Sequence, residues 1–368
     1  MVTTNRVYTK MIPPHKTLEQ TLRIIDANLD RTGEGLRFLE ETARFILNDA
    51  ALTKILKELR HNLVTTSPQF NLKLLQARNA ENDVGAEIKT DIHEKQDDLL
   101  NKVTANSKRI QQSLRVLEEL ATLPGIELDV TIISQARFEV YSLERKISSR
   151  LIRQDKAARI KGLYAIIDSD SLGNRNHIDT ARQLLCGGAG IIQLRDKALG
   201  KRELLGIAQE LKQLCKKHNA LFIVNDYLDI ALATGADGLH LGQEDLPVAT
   251  ARKLLPIDTL IGCSVSSARQ ARDAEAQGAD YIAAGAVLPT DTKEDAEVVG
   301  IDTLKDIKKS TSLPVVAIGG INMDNMFHIL AAGADSVAII SAILKAESPN
   351  DATRLIIKEI KRNDHIDR

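Results

Sequence analysis

"GIIQLRDKALGKRELLGIAQELKQLCKKHNALFIVND", residues 190–226, contains one complete strand–helix–strand unit. Its ends, "GIIQL" (190–194) and "LFIV" (221–224), are short apolar runs bounded by polar residues, the pattern of strands covered on both faces. Between them "KRELLGIAQELKQLCKKH" (201–218) has the spacing of an amphipathic helix. A strand, a crossover helix and a second strand call for parallel pairing. Similar apolar runs stand at "LYAII" (163–167), "GLHL" (238–241), "LIGCS" (260–264), "YIAAGAV" (281–287), "PVVAI" (314–318) and "SVAII" (336–340). Helices such as "ARQARDAEAQGA" (268–279) lie between most of them, and several lead into the next strand through Gly-Ala-Asp. Eight strands alternating with helices over about 190 residues predict an α/β protein built on a (β/α)8 TIM barrel, just under the usual size of that fold. An open doubly wound sheet is the competing arrangement. It expects a glycine-rich turn after its first strand, and "IIDSDSLG" (166–173) has no G-x-G-x-x-G.

The residues ahead of the barrel have a different rhythm. From 17 to 158 the apolar positions keep helical spacing, with Ile24, Ala27, Leu29, Leu36, Leu39 and Phe45 expected to form a stripe. This half also repeats itself. A shift of 78 positions aligns "ANLDRTGEGLRFLEE" with "ANSKRIQQSLRVLEE", so that Asn28, Arg31, Arg37, Glu40 and Glu41 recur as Asn106, Arg109, Arg115, Glu118 and Glu119. A duplicated helical hairpin or bundle half is the expectation. "QARNAENDVGAEIKTDIH" (76–93) reads as a loop and "RQDKAARIKG" (153–162) as a charged linker, dividing the chain into an all-α domain over 1–155 and the barrel over 156–368.

Composition narrows the class. The chain is long enough for two domains, and 43% hydrophobic with 27% charged residues is the balance of a folded globular protein. Lys plus Arg number 49 and Asp plus Glu 50, so no overall field invites nucleic acid or an anionic membrane. Three cysteines, Cys186, Cys215 and Cys263, without C-x-x-C spacing argue against a zinc site or a disulfide framework. With neither an N-terminal apolar stretch nor a run approaching the roughly 18 residues of a membrane span, a cytoplasmic protein is expected.

In a barrel of this kind the residues just past the strands converge on one mouth. Alternation in "QLRDK" puts Gln193, Arg195 and Lys197 on one side, an amide and two cations suited to a polyphosphate, although a solvated strand end paired with Asp196 or Glu203 has the same composition. Asp226 and Asp245 leave the third and fourth strands, either as two carboxylates for Mg2+ or as helix caps. His240, inside the fourth strand, is expected to pack or hydrogen-bond rather than act as a base. Ser264 follows the fifth strand as ligand or helix cap. After the sixth, "GAVLPTDTKEDAE" (285–297) brings Thr290, Thr292 and Lys293 together, hydroxyls and an ammonium where ordinary turn chemistry would be expected. The seventh and eighth strands end in "IGGIN" and "IISAI", where Gly319, Gly320, Ile340 and Ser341 make the phosphate site common to many barrels. No Ser/His/Asp or Cys/His nucleophile set is evident.

Taken in order, "GIIQLRDK", "FIVNDYLDIAL", "ADGLHLGQEDLP", "IGCSVSS", "GAVLPTDTKEDA", "VAIGGIN" and "SVAIISAI" closely resemble the thiamine phosphate synthases, across about residues 161–348. The resemblance implies that 4-amino-5-hydroxymethyl-2-methylpyrimidine diphosphate binds through Gln193, Arg195, Lys197, Asn225, Ser264 and Lys293, with Arg195, Lys197 and Lys293 as the catalytic cations. It implies that Asp226 and Asp245 hold Mg2+, and that hydroxyethylthiazole phosphate meets Thr290, Thr292, Gly320, Ile340 and Ser341. The implied chemistry is a dissociative substitution that needs no base. Tyr227 departs from the family pattern, where a charged residue often follows Asn-Asp. Barrel relatives that isomerise a thiazole phosphate tend to lack the full cationic and acidic set kept here; an isomerase-like or phosphate-sensing barrel without the synthase step is the alternative reading. Some synthases carry a helical extension like residues 17–150. For it three readings stand open: ion pairs between bundle helices, an anion pocket for a pyrimidine phosphate lined by Asn28, Arg31, Asn106 and Arg109, or a module for homo-oligomer assembly.

Overall fold

The computed structural model describes residues 14–64, 67–79, 98–290 and 297–364. The chain separates into two compact units, Met1–Leu151 and Ile152–Arg368.

The first unit is helical: α1 (Pro14–Glu41), a π turn (Thr42–Ile46), α2 (Ala50–Val64), α3 (Pro68–Ala77), α4 (Leu99–Leu120) and α5 (Val130–Ala157), whose last turn belongs to the second unit. Leu22, Ile25, Leu29, Thr32, Leu36, Leu39 and Ala43 are buried at alternating steps of three and four residues, and α4 repeats the seam with Val103, Ser107, Ile110, Leu114 and Leu117. A 3.5-residue period keeps one stripe facing a neighbour at a shallow crossing angle. This corrects the expected stripe at two places. Ile24 is 48% exposed because Ile25, one residue on, is in phase with the seam; Phe45 is 64% exposed in the π turn, where the Arg44 guanidinium lies 4.7 Å from its ring centroid. At the crossing of α1 and α4 a Cβ on Gly35 would sit 2.6 Å from Ile110 Cγ1, so only glycine permits the approach.

The internal repeat is carried into the bonds. Asn28 donates to the carbonyl of Ile24 at 2.8 Å and Asn106 to that of Lys102 at 2.9 Å. Arg37 pairs with Glu41 and Arg115 with Glu119, each at 3.1 Å. Glu40 meets Arg60 of α2 at 3.0 Å and Glu118 meets Arg137 of α5 at 3.1 Å. The equivalent ion pairs join α1 to α2 and α4 to α5.

In the second unit eight strands, β1 (Gly162–Asp168), β2 (Ile191–Arg195), β3 (Leu221–Asn225), β4 (Gly238–Leu241), β5 (Leu260–Val265), β6 (Tyr281–Ala284), β7 (Val315–Ile318) and β8 (Ser336–Ile339), close into a parallel barrel in sequence order, β8 pairing with β1. Helices α6 (Ser169–Leu172), α7 (His177–Cys186), α8 (Lys201–Lys217), α9 (Leu228–Thr234), α10 (Val248–Leu254), α11 (Ala268–Gln277), α12 (Gly300–Ser310), α13 (Met326–Ala331), α14 (Ser341–Leu344) and α15 (Pro349–Asp364) complete the described elements. Outward strand residues such as Ile192, Phe222, Leu239 and Val337 pack under the helices, while Tyr164, Ile166, Ile191, Ile223, Leu260, Tyr281, Val316 and Ala338 fill the interior. Strand β6 ends at Ala284, short of the apolar run that continues to Val287. The chain turns there against β7, where a Cβ on Gly285 would lie 2.4 Å from the carbonyl oxygen of Ile318.

Interior packing is tightest at Gly262, where a Cβ would fall 2.0 Å from Tyr281 Cζ. Gly262→Ala should therefore lower stability by about 2–3 kcal/mol, read as a lower denaturant midpoint at unchanged slope. An unchanged midpoint would mean the ring moves aside freely.

The charged stretch 153–162 is not a solvated linker. Helix α5 continues through its first five residues, and Arg153, 3% exposed, pairs with Asp280 at 2.7 Å and donates to the carbonyl of Ile257 at 2.8 Å. Asp280 also accepts from Arg252 and from the Ile261 amide, so a buried ion cluster absorbs charge that looked solvent-facing in the sequence. Among the described residues no helix is long and apolar enough to cross a membrane. The three cysteines are free thiols.

Candidate active site

Strand alternation decides what the barrel mouth contains. The parity that buries Tyr164 and Ile166 inside β1 carries Asp168 to the mouth. The same rule brings Gln193 and Arg195 from β2, Asn225 from β3, His240 from β4 and Ser264 from β5. Asp168 was missed in the sequence. It is fully buried, accepts from the Ser171 amide at 3.1 Å and is ion-paired with Arg195 Nη1. Its signal was available, since it is the first polar residue of "LYAIID" at a strand's C-terminal end. Arg195 is thereby oriented by a carboxylate beneath it, not by Asp196 or Glu203. Asp196 instead accepts from Ser169, from the Ala198 and Leu199 amides at 2.9 and 2.8 Å, and stands 3.3 Å from His177 Nε2.

Gln193 donates to Asn225 Oδ1 at 3.2 Å, both side chains buried. The next residue, Asp226, has φ 61°, a left-handed conformation that Asp and Asn tolerate better than other side chains, and its amide donates to the His240 carbonyl at 2.8 Å. That turn brings the Asp226 carboxyl within hydrogen-bonding range of Asp245. Burial, then the bond to Asp245 and its charge, push the Asp226 carboxyl from 3.8 to about 6, against the lowering pull of Lys197 and Arg195. Lys197 Nζ is 3.7 Å from Asp226, on a side chain 60% exposed. Neither aspartate caps a helix. Pro247 occupies the cap position of α10, and Asp245 Oδ2 accepts from the Gly242 amide at 2.7 Å.

Ser264 does not cap α11 either; Ser267 does, accepting from Gln270. Ser264 Oγ lies 2.9 Å from His240 Nε2, and His240 Nδ1 lies 3.1 Å from the Tyr281 hydroxyl. Burial pushes the His240 imidazolium down to about 4, so the ring is neutral at physiological pH and is held inside the barrel as expected. Tyr227 packs its ring 5.3 Å below Lys201 Nζ, a surface contact.

Across the mouth, β6, β7 and β8 supply glycine-lined backbone. Gly319 and Gly320 have φ 101° and 65°, and a Cβ on Gly320 would come 2.4 Å from the Pro289 carbonyl oxygen. Val287 donates to Ile318 O at 2.8 Å and Leu288 to Gly319 O at 3.2 Å, clamping the β6 loop onto β7. Ile340 is half-buried at the start of α14, where Ser341 begins a single turn. Thr290 lies in the described part of the β6 loop; the expected Thr292 and Lys293 lie outside the described residues.

Residues 163–343 match the family described as thiamine monophosphate synthase, and residues 23–146 match the ThiD2 family. Over 357 residues the chain is 37% identical to the thiamine-phosphate synthase of Thermosynechococcus vestitus, covering 96% of this chain and 99% of that protein. The chain belongs to the thiamine-phosphate synthase family. A second relative, the thiamine-phosphate synthase of Nostoc sp. strain PCC 7120, has the same identity and coverage. Because these relatives are spanned from end to end, the helical unit is part of the synthase in them as well. Among solved structures, thiamine phosphate pyrophosphorylase from Pyrococcus furiosus is 42% identical, with TM-score 0.51, and covers 55% of this chain and 98% of that one.

Proposed function

We propose that the chain is a thiamine-phosphate synthase, a transferase joining the pyrimidinylmethyl group of a pyrimidine diphosphate to the nitrogen of a thiazole phosphate. The observation that carries the reading is the meeting of two cations with a close carboxylate pair on the β2–β4 side of a mouth whose β6–β8 side is glycine-lined backbone. One side suits a diphosphate, the other a single phosphate.

In this reading Arg195, held by Asp168, and Lys197 bind the diphosphate, with Lys293 as a third cation. Gln193, Asn225 and Ser264 orient the pyrimidine. The bond between the pyrimidine methylene carbon and the diphosphate oxygen breaks with both electrons leaving on pyrophosphate. The ring's amino group spreads the resulting positive charge, and the thiazole nitrogen donates its lone pair to form the new C–N bond. No proton moves, which suits a mouth where the histidine is neutral and hydrogen-bonded. The cations favour a leaving group whose charge grows along the reaction, so they act mainly in the transition state. Thr290, Thr292, Gly320, Ile340 and Ser341 hold the thiazole phosphate alongside.

The residues fit a magnesium ion. Asp226 and Asp245 are hard oxygen donors pressed together with incomplete charge balance, and among the described residues no cluster of three or more His, Cys, Asp or Glu builds a closed metal cage. Two carboxylates suffice for Mg2+, which keeps waters and takes phosphate oxygens. When bound, the ion adds positive charge beside the departing diphosphate.

Incubating the chain with both substrates and Mg2+, then oxidising to fluorescent thiochrome, tests the activity directly; no fluorescence would favour an isomerase-like or phosphate-sensing barrel. EDTA should suppress the signal, and full activity in EDTA would exclude the metal role. Thr290→Ala should raise KM for the thiazole phosphate about tenfold and leave that for the pyrimidine diphosphate near its starting value. The reverse pattern would mean the two subsites are exchanged. For the helical unit, a role on a pyrimidine phosphate is one reading beside ion pairing between bundle helices and homo-oligomer assembly. Asn28 and Asn106 already donate to their own helices, which weakens the four-residue pocket and leaves exposed Arg31 and Arg109 as its remaining candidates.

A further inference from the structure

Tyr164, Tyr281, His240 and Ser264 form a continuous hydrogen-bonded chain through the barrel interior. The Tyr164 and Tyr281 hydroxyls are 2.8 Å apart, Tyr281 to His240 Nδ1 is 3.1 Å, and His240 Nε2 to Ser264 Oγ is 2.9 Å. Tyr164 is 2% and Tyr281 0% exposed, while Ser264 at the far end is half-buried and reaches the mouth. The Tyr281 ring is stacked on His240, with centroids 5.6 Å apart, and fills the space that Gly262 leaves empty.

The direction of the chain follows from its buried end. Among the described residues the Tyr164 hydroxyl has one partner, Tyr281. A buried O–H left without an acceptor is costly, so Tyr164 must donate to Tyr281. Tyr281 then has one outlet for its own proton, His240 Nδ1, which must be an acceptor. A histidine accepting at Nδ1 carries its proton on Nε2 and donates to Ser264 Oγ. Reversing the chain, or charging the histidine, would make Nδ1 a donor, turn Tyr281 toward Tyr164 and leave the Tyr164 proton stranded.

We propose that this one-way chain sets the polarity of Ser264: its oxygen accepts from His240, so its own proton is free to be donated to an acceptor atom of the pyrimidine diphosphate. Tyr281 and His240 are then positioning residues, and Ser264 carries their effect to the substrate. The inference rests on the reading of Ser264 as a pyrimidine-side contact, but the tautomer it requires is readable without turnover. Gln243 supports the arrangement by donating to the Ser264 carbonyl at 2.7 Å, which holds the backbone that presents the hydroxyl.

The test uses the full chain labelled with 15N-histidine and long-range proton–nitrogen correlation at neutral pH, with the His240 signals identified by their loss in His240→Asn. The Nε2–H tautomer is expected; the Nδ1–H tautomer or a doubly protonated ring would overturn the proposal. Tyr164→Phe leaves Tyr281 with the same single acceptor and should keep the Nε2–H form, whereas Tyr281→Phe should mix the tautomers. Kinetically, Tyr281→Phe should lower kcat/KM for the pyrimidine diphosphate about tenfold with KM for the thiazole phosphate unmoved, and should cost nothing more in a Ser264→Ala background. Equal losses in both backgrounds would show that the tyrosine acts on general packing, and the proposal would fall. If no thiochrome forms at all, the functional reading fails while the tautomer result still stands or falls by itself.

Discussion

Replacing Asp226 by Asn should lower kcat by about 10²–10³-fold, the few kcal/mol that charge stabilisation by a bound divalent ion supplies, and should at the same time stabilise the metal-free protein above neutral pH. Asn keeps the left-handed backbone at φ 61° that Ala would strain. The stability gain follows from linkage. In the folded chain burial and Asp245 raise this carboxyl from 3.8 to about 6, so folding favours its protonated form. Below about pH 4 the group is protonated folded or unfolded and carries no penalty. As pH rises through 6 it must ionise beside Asp245, and stability is lost. The unscreened rise corresponds to roughly 3 kcal/mol, and solvent screening of a partly exposed group reduces it to about 1 kcal/mol, or a few degrees in a barrel of this size. Melting curves in EDTA at pH 5 and pH 8 should show the variant's advantage growing with pH. Added Mg2+ should stabilise the parent chain and not the variant. An Asp226→Asn variant that is no more stable than its parent at pH 8 would mean the carboxylates are not in conflict.

The second large effect concerns Arg195. Arg195→Met strands Asp168, fully buried with the Ser171 amide as its remaining described hydrogen-bond donor, and breaking a buried pair from one side typically costs about 3–5 kcal/mol. Arg195→Met combined with Asp168→Asn removes both charges and should recover most of that loss. Activity should not follow. Both proteins should show kcat/KM for the pyrimidine diphosphate reduced by about 10²–10³-fold if Arg195 meets the diphosphate as proposed, because each lacks that cation. Denaturant midpoints beside thiochrome kinetics separate the two roles. Recovery of activity in the double variant would mean that Arg195 serves folding alone.

Local pattern determined a good deal of this molecule by itself. Eight short apolar runs separated by amphipathic helices permit little besides a closed parallel barrel, since each run must be covered on both faces, and alternation within a run carries Gln193 and Arg195 to one side before any contact is known. Positions 40 and 118, aligned by the 78-residue shift, both form ion pairs with a neighbouring helix, Glu40 with Arg60 and Glu118 with Arg137. Ile24 was misplaced because adjacent isoleucines at 24 and 25 fit a 3.6-residue period almost equally well, and only the packing of α1 on α4 selects the 3.5-residue seam.

What the tertiary structure alone decided are partnerships between distant residues. Nothing in the chain near Arg195 names Asp168, 27 residues earlier, and nothing near Ser264 names Tyr164, 100 residues before it. Arg153 looked like linker charge until Asp280, on the loop into β6, met it in the interior. Strand parity states which way a side chain points, while closure of the barrel states what it points at; the first is a property of successive Cα atoms, and the second exists only once β8 has paired with β1.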